Sequence, residues 1–269
     1  RVPSWLAAIA TMFLTWWVGA LLFGRNIGRL AGALMGAAVL LGAEARFAKI
    51  DSTLCAVTLL TQAALARIYV ARDRNEKLGM RWPALFWAAF GGGVLLKGPI
   101  ILLVTGGTIL GLVLLERRAG WLMMLRPLWG VPLMLAVVTP WYIAIALATD
   151  GAFYRTAVSY SVVGKVASSH QCHGGPIGYY LMLFPAAFWP GSLIAFLSLP
   201  FVWANRTTPA VRFCIAWIVP AWLFWELTKT KLPHYTLPLF PAVAILSAAA
   251  AEAARGARWF GRPRLFAAV

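Results

Sequence analysis

Apolar residues run along this chain in long blocks, and the breaks between blocks carry most of the arginines, glycines and prolines. A hydrocarbon core of roughly 30 Å is crossed by about 20 helical residues rising ~1.5 Å each. By that rule nine spans are predicted, at 4–23, 28–43, 52–70, 83–97, 99–115, 128–148, 176–200, 211–228 and 236–253. The second and fourth are short, which places their first turns in the preceding polar loops. No stretch alternates with period two over the ~10 residues of a barrel strand. Closed helices are therefore how these backbones satisfy their hydrogen bonds in lipid. The predicted fold class is all-α, a polytopic transmembrane helix bundle making one transmembrane domain over 1–269.

Composition sharpens this reading. The chain is 61% hydrophobic and 12% charged, against roughly 45–50% and about 25% in soluble domains. An ordinary soluble enzyme and a disordered chain are both excluded. Three cysteines, Cys55 and Cys214 in apolar runs and Cys172 in a polar one, imply no disulfide framework. Arg1-Val2-Pro3-Ser4 leads straight into an apolar block without initiator Met or signal peptide. The expectation is a piece of a longer protein, with its first spans and first outer loop upstream.

A net charge of +16 raises the question of nucleic acid, and the placement of the charge answers it. One set of alternate loops holds 15 of the 24 basic residues, among them Arg25, Arg72, Arg81, Arg117, Arg126, Arg206, Arg212 and Arg255. The other set holds 7: Arg46, Lys49, Lys97, Arg155, Lys165, Lys229 and Lys231. The first set is predicted cytoplasmic, so the charge reflects topology and no nucleic-acid partner is expected. Gly28, Gly32 and Gly36, and again Gly107 and Gly111, recur every four residues, a spacing that lets membrane helices approach closely. Trp82, Trp121, Trp129, Trp141, Trp203 and Trp259 fall near span ends, as an interfacial belt would.

The outer face carries the candidate chemistry. It holds all three histidines, His170, His173 and His234, and four of the eight acids, Glu44, Asp51, Asp150 and Glu226. Ionisable groups at the mouths of apolar helices are costly unless they pair or bind something. Asp51 opens the third span, either as a capping residue or as an acid holding a sugar hydroxyl, a metal or a basic neighbour. Lys97 precedes Gly98-Pro99, a break that frees its ammonium either to snorkel or to hold a lipid phosphate. The 149–175 loop carries His170-Gln171-Cys172-His173, a fragment of a metal site too compact to close a tetrahedral shell, or simply a structural loop. Tyr179 and Tyr180 follow it as interfacial aromatics or site residues. Lys229, Lys231, His234 and Tyr235 share one outer turn. There a phosphate partner and a salt bridge to Glu226 are both open.

Taken in order, Asp51, Lys97-Gly98-Pro99, Pro140-Trp141-Tyr142, His173-x-x-Pro176-x-x-Tyr179-Tyr180 and Lys231-Leu232-Pro233-His234-Tyr235 resemble the bacterial branch of glycosyltransferase family 39. That branch is related to the dolichyl-phosphate-mannose protein mannosyltransferases and includes lipid A modification enzymes. The resemblance implies a GT-C fold and a polyprenyl-phosphate sugar donor. The acceptor would be a lipid, glycan or protein reached from the periplasmic side of a bacterial inner membrane, with membrane lipids as neighbours. It also implies roles for individual residues. Lys97, with Lys165, Lys229 and Lys231, would hold the donor phosphate, and Tyr235 would line the donor cavity. Asp51 would be an auxiliary catalytic acid, and His173 would ligate a divalent metal, the one cofactor implied. Lys165 stands where the family often has an Arg. The family's Asp-Glu pair and Glu-Lys-Pro-Pro segment have no counterpart here, so the principal catalytic acid is expected upstream. Two other readings are a transporter or flippase for polyprenyl-linked sugars, which needs charged paths on both faces, and an inactive scaffold subunit.

The charge asymmetry makes a topological prediction. Cysteines introduced into the 149–175 loop and the 229–235 turn should react with impermeant thiol reagents in intact cells. Selective labelling at 72–81 would reverse the orientation.

Overall fold

The computed structural model describes residues 1–98, 100–153 and 175–259. Every predicted span is helical, but they differ in kind. Helices α1 (Val2–Phe23), α4 (Asp51–Asp73) and α7 (Pro127–Ala148) are long and apolar enough to cross a membrane unbroken, as are α11 (Pro209–Leu227) and the segment Pro233–Gly256. That last segment is a 3-10 turn, Pro233–Leu239, continued by α12 (Phe240–Trp259). Among the described residues no β-strand is found.

The predicted span 28–43 is a broken one. Helices α2 (Arg25–Ala37) and α3 (Val39–Arg46) meet at 56°. Ala38 between them is extended, and the amide of Val39, freed from the helical ladder, donates to the carbonyl of Trp189 at 3.3 Å. The partner lies more than a hundred residues away, and nothing in the local pattern announces the break. The predicted span 176–200 is realised as three short helices, α8 (Tyr179–Ala187), α9 (Gly191–Leu197) and α10 (Leu199–Ala204). Pro190 and Pro200 fall at the joints, where the missing amides suit a restart. Helix α5 (Arg81–Lys97) has only 17 residues. A π-helical turn, Leu102–Gly106, runs into α6 (Gly107–Glu116).

Burial sorts the bundle. In α4 and in Pro233–Gly256, 78% of the spanning window is buried, against none of it in α7. The first two form the centre, and α7 presents its leucines outward, where lipid is the natural solvent. Glycine sets the closest approach. A Cβ on Gly28 would strike the carbonyl of Trp16 and lie 2.6 Å from the amide nitrogen of Ala20, so α1 and α2 touch backbone to backbone. A Cβ on Gly111 would sit 3.1–3.3 Å from Ala216 of α11. Both glycine rows thus do what their spacing implied.

Two polar contacts inside the bundle join different helices. Gln62 of α4 donates to Thr108 of α6 at 2.7 Å. Glu116, at the end of α6, accepts from Tyr69 and Arg72 of α4 and from Arg212 of α11 at 3.1 Å. Two of the arginines that mark the basic end are therefore counter-ions of one buried carboxylate. The tryptophans divide. Trp129, Trp141 and Trp203 are exposed, as belt residues should be. Trp121 is buried edge-on against Tyr69, and Trp82 stacks on Trp17 with centroids 5.6 Å apart, so these two are packing residues rather than belt. A position near a span end does not reveal whether another helix covers it.

Two glycines test the packing. Gly28→Ala should destabilise the detergent-solubilised chain by about 1–3 kcal/mol, because the α1–α2 contact must open. Gly42→Ala in α3, where a Cβ meets nothing, should be neutral or stabilise by about 0.5–1 kcal/mol. Thermal unfolding checks both; equal shifts would refute the close-approach account.

Candidate functional site

Four chain segments converge at one end of the bundle. Helix α3 ends at Arg46 and α4 starts at Asp51. Between them the backbone is non-helical, and the Ser4 hydroxyl donates to the Lys49 carbonyl at 2.9 Å, tying the loop to the start of α1. Helix α5 ends at Lys97, stopped by Gly98, whose φ of +63° suits a residue without Cβ. The 3-10 turn Pro233–Leu239 completes the set. It is anchored from below, since the Trp217 indole donates to the Pro238 carbonyl at 3.1 Å and Leu237 and Leu239 are fully buried.

Asp51 and Lys97 form an ion pair. Each is well placed on its own helix: the carboxylate in a first turn, the ammonium in a last turn, where the aligned peptide dipoles favour those signs. The His234 imidazole stands against the pair, its Nε2 3.5 Å from Asp51 Oδ1. Its Nδ1 lies 3.7 Å from Glu44 Oε1 on α3. Glu44 and Asp51 are 5% and 7% exposed. Oε2 of Glu44 is buried with no hydrogen-bond partner among the described residues. Two carboxylates thus face the imidazole, with the ammonium groups of Lys97 and Lys49 as the neighbouring positive charges. Such a cluster can hold a cation or steer a polar group, while Lys97 offers positive charge at its edge.

A second cluster lies nearby and is closed. The Lys231 ammonium donates to the carbonyls of Trp225 at 3.2 Å and Glu226 at 2.7 Å, and it lies 3.7 Å from the Glu226 carboxylate and over the Tyr180 ring. Glu226 in turn accepts from the backbone amides of Gly178 and Leu181 at 2.9 and 3.1 Å, capping the start of α8. Leu232 donates its amide to the Tyr180 hydroxyl at 3.2 Å. Tyr180 is therefore a core residue and not an interfacial one. Tyr235 is buried with its ring centroid 4.5 Å from that of Trp225.

The residues singled out from the sequence are sorted accordingly. Asp51 and Lys97 are brought together, with Tyr235 beneath His234. Lys231 has its donors engaged within the fold, the salt bridge to Glu226 included. Lys229 is exposed on the turn, and Asp150 is exposed at the end of α7, apart from the cluster. Lys165 and His173, with the rest of the His-x-Cys-His loop, lie outside the described residues. The sequence reading treated Glu44 only as one outer acid among four and His234 only as a member of its motif. Their meeting at Asp51 joins positions 44, 51 and 234, a contact that no local spacing carries. A cavity of about 410 Å³ lies at the opposite, arginine-rich end, lined by residues such as Tyr69, Asp73, Arg74 and Asn205, and takes no part in this arrangement.

The closed cluster gives a stability test. Lys231→Met strands a buried carboxylate and should cost about 3–5 kcal/mol, reduced where the two amide donors to Glu226 remain. Adding Glu226→Gln should recover part of that loss. A double variant as damaged as the sum of the single ones, measured by thermal unfolding, would refute the coupling.

The family model described as dolichyl-phosphate-mannose-protein mannosyltransferase matches residues 1–143. The chain is 27% identical over 254 residues, 93% of its length, to an undecaprenyl phosphate-alpha-4-amino-4-deoxy-L-arabinose arabinosyl transferase of Yersinia pestis (strain Pestoides F), covering 45% of that protein. It is 28% identical over 247 residues to the enzyme of the same description from Aeromonas salmonicida, covering 90% of this chain and 44% of that one. The crystal structure of ArnT from Cupriavidus metallidurans bound to undecaprenyl phosphate superposes with a TM-score of 0.82 at 22% identity, over 97% of this chain and 48% of that one. The chain spans less than half the length of the curated relatives it matches. The shared fold is a helical membrane bundle. With more than half of its residues matched by the family model, the chain belongs to the dolichyl-phosphate-mannose-protein mannosyltransferase family.

Proposed function

We propose that this chain is the membrane-embedded donor-binding part of a glycosyltransferase. The enzyme moves a sugar from a polyprenyl-phosphate donor to a lipid, glycan or protein acceptor at the periplasmic face of a bacterial inner membrane. The observation that carries this is the Asp51–Lys97 pair, a charged group held at the rim of an apolar bundle beside His234. Relatives named as undecaprenyl phosphate-aminoarabinose transferases and a similar structure bound to undecaprenyl phosphate support it.

The lysines differ in what they can reach. The side chain of Lys97 is 22% exposed, that of Lys231 only 2%. An ammonium has three donors, so Lys97 can stay on Asp51 and still meet a phosphate. Lys231 would have to abandon the carbonyls that it now satisfies. We therefore assign the donor phosphate to Lys97 and the bracing of α8 to Lys231. In the reaction an acceptor hydroxyl loses its proton to a base and attacks the anomeric carbon. The bond from that carbon to the phosphate oxygen breaks, and the polyprenyl phosphate departs with the electron pair. Lys97 stabilises the negative charge that grows on that phosphate, in a site where water screens little. Asp51 keeps the ammonium in position.

The exposed arginine Arg117 at the opposite end serves as the control. Lys97→Ala should weaken binding of undecaprenyl phosphate by about 2–5 kcal/mol, with part of the loss recovered in Lys97→Arg. Arg117→Ala should leave affinity unchanged, and Lys231→Ala should lower the melting temperature more than it alters affinity. Equal affinity losses in all three variants would point to general destabilisation and overturn the assignment.

A further inference from the structure

From the geometry at positions 44, 51 and 234 we infer that Glu44, Asp51 and His234 form a binding site for one divalent transition-metal ion. One donor atom from each residue can be chosen so that all three lie within 4.8 Å of one another. Three ligands of a tetrahedral zinc at ~2.0–2.1 Å stand about 3.3–3.5 Å apart, a contraction that rotation of the two carboxylates supplies. The donors come from three separate elements, α3, α4 and the 3-10 turn, so an ion here would cross-link the end of the bundle.

A second observation points the same way. Glu44 is 95% buried, and its Oε2 has no hydrogen-bond partner among the described residues, although Oε1 is turned toward His234. A buried carboxylate oxygen left bare is costly, and an ion shared with His234 and Asp51 removes that cost. Asp51 Oδ1 now faces both Lys97 and His234, and a turn of the carboxylate would let one oxygen keep Lys97 while the other meets the ion. An imidazole nitrogen with two carboxylates suits zinc, cobalt or manganese, whereas magnesium prefers an all-oxygen shell with several waters. Three protein ligands leave a fourth position for water or an anionic oxygen. The site shares Asp51 with the proposed donor site, but occupancy by a metal does not depend on sugar transfer.

The test uses the 269-residue chain, purified in detergent, stripped by a chelator and titrated with Co2+ without any polyprenyl lipid. We expect saturable uptake of one Co2+ per chain with visible d–d absorption. Zn2+ should displace it and Mg2+ should not. Glu44→Gln and His234→Gln, each checked for native circular dichroism and melting behaviour, should weaken uptake by about 10–100-fold or more. Absence of saturable uptake by the folded parent would overturn the proposal. So would uptake unchanged in both variants, or uptake lost only with His173→Ala. Donor binding is measured separately through Lys97, so the failure of one idea is distinguishable from the failure of the other.

Discussion

Lys97 and Asp51 are the last residue of one helix and the first residue of another, and their ion pair holds those helix ends together where the bundle meets its polar surface. Each charge would be expensive at this depth alone. Together, placed on dipole ends of matching sign, they make a fixed rim on which His234 and Glu44 assemble. The turn that carries His234 is held there by buried leucines and the Trp217 indole. Everything proposed about donor recognition and metal binding depends on that rim staying closed.

The opposite end obeys the same constraint with different groups. Glu116 draws in Tyr69, Arg72 and Arg212, fastening α4, α6 and α11. Each end is thus a small electrostatic clasp around a buried carboxylate, and the apolar stretch between is packed through glycine contacts and the Gln62–Thr108 hydrogen bond. The two clasps differ in what they leave over. Around Glu116 both carboxylate oxygens are engaged. Around Glu44 and Asp51 one buried carboxylate oxygen has no hydrogen-bond partner among the described residues. That difference separates a structural clasp from a site able to bind.

Lys231 shows how alike an enclosed and a more accessible lysine look in sequence. It stands in the same motif as His234 and on the sparsely basic side of the chain. Yet its ammonium is enclosed by Trp225, Glu226 and Tyr180, and it braces the capped start of α8. Lys97 has an ordinary setting of apolar neighbours and a glycine, and its side chain is more accessible than that of Lys231.

The sequence by itself determined that the chain is a bundle of membrane helices, because twenty apolar residues in a row have one stable backbone solution in lipid. It also determined which loops are basic, where glycine rows permit close contact, and that chemistry-bearing side chains gather on the sparsely basic side. Asp51 at a helix start and Lys97 at a helix end were legible there, since capping and termination are local. Only the tertiary structure decided which of those side chains meet. The break at Ala38 depends on a carbonyl from Trp189, the burial of Trp121 on a neighbouring helix, and the union of Glu44, Asp51 and His234 on the return of the chain after nearly two hundred residues. Periodicity and charge counts report each residue's relation to its own helix and to the bilayer. Partners across the bundle are fixed by how the helices pack, a property of the whole chain at once.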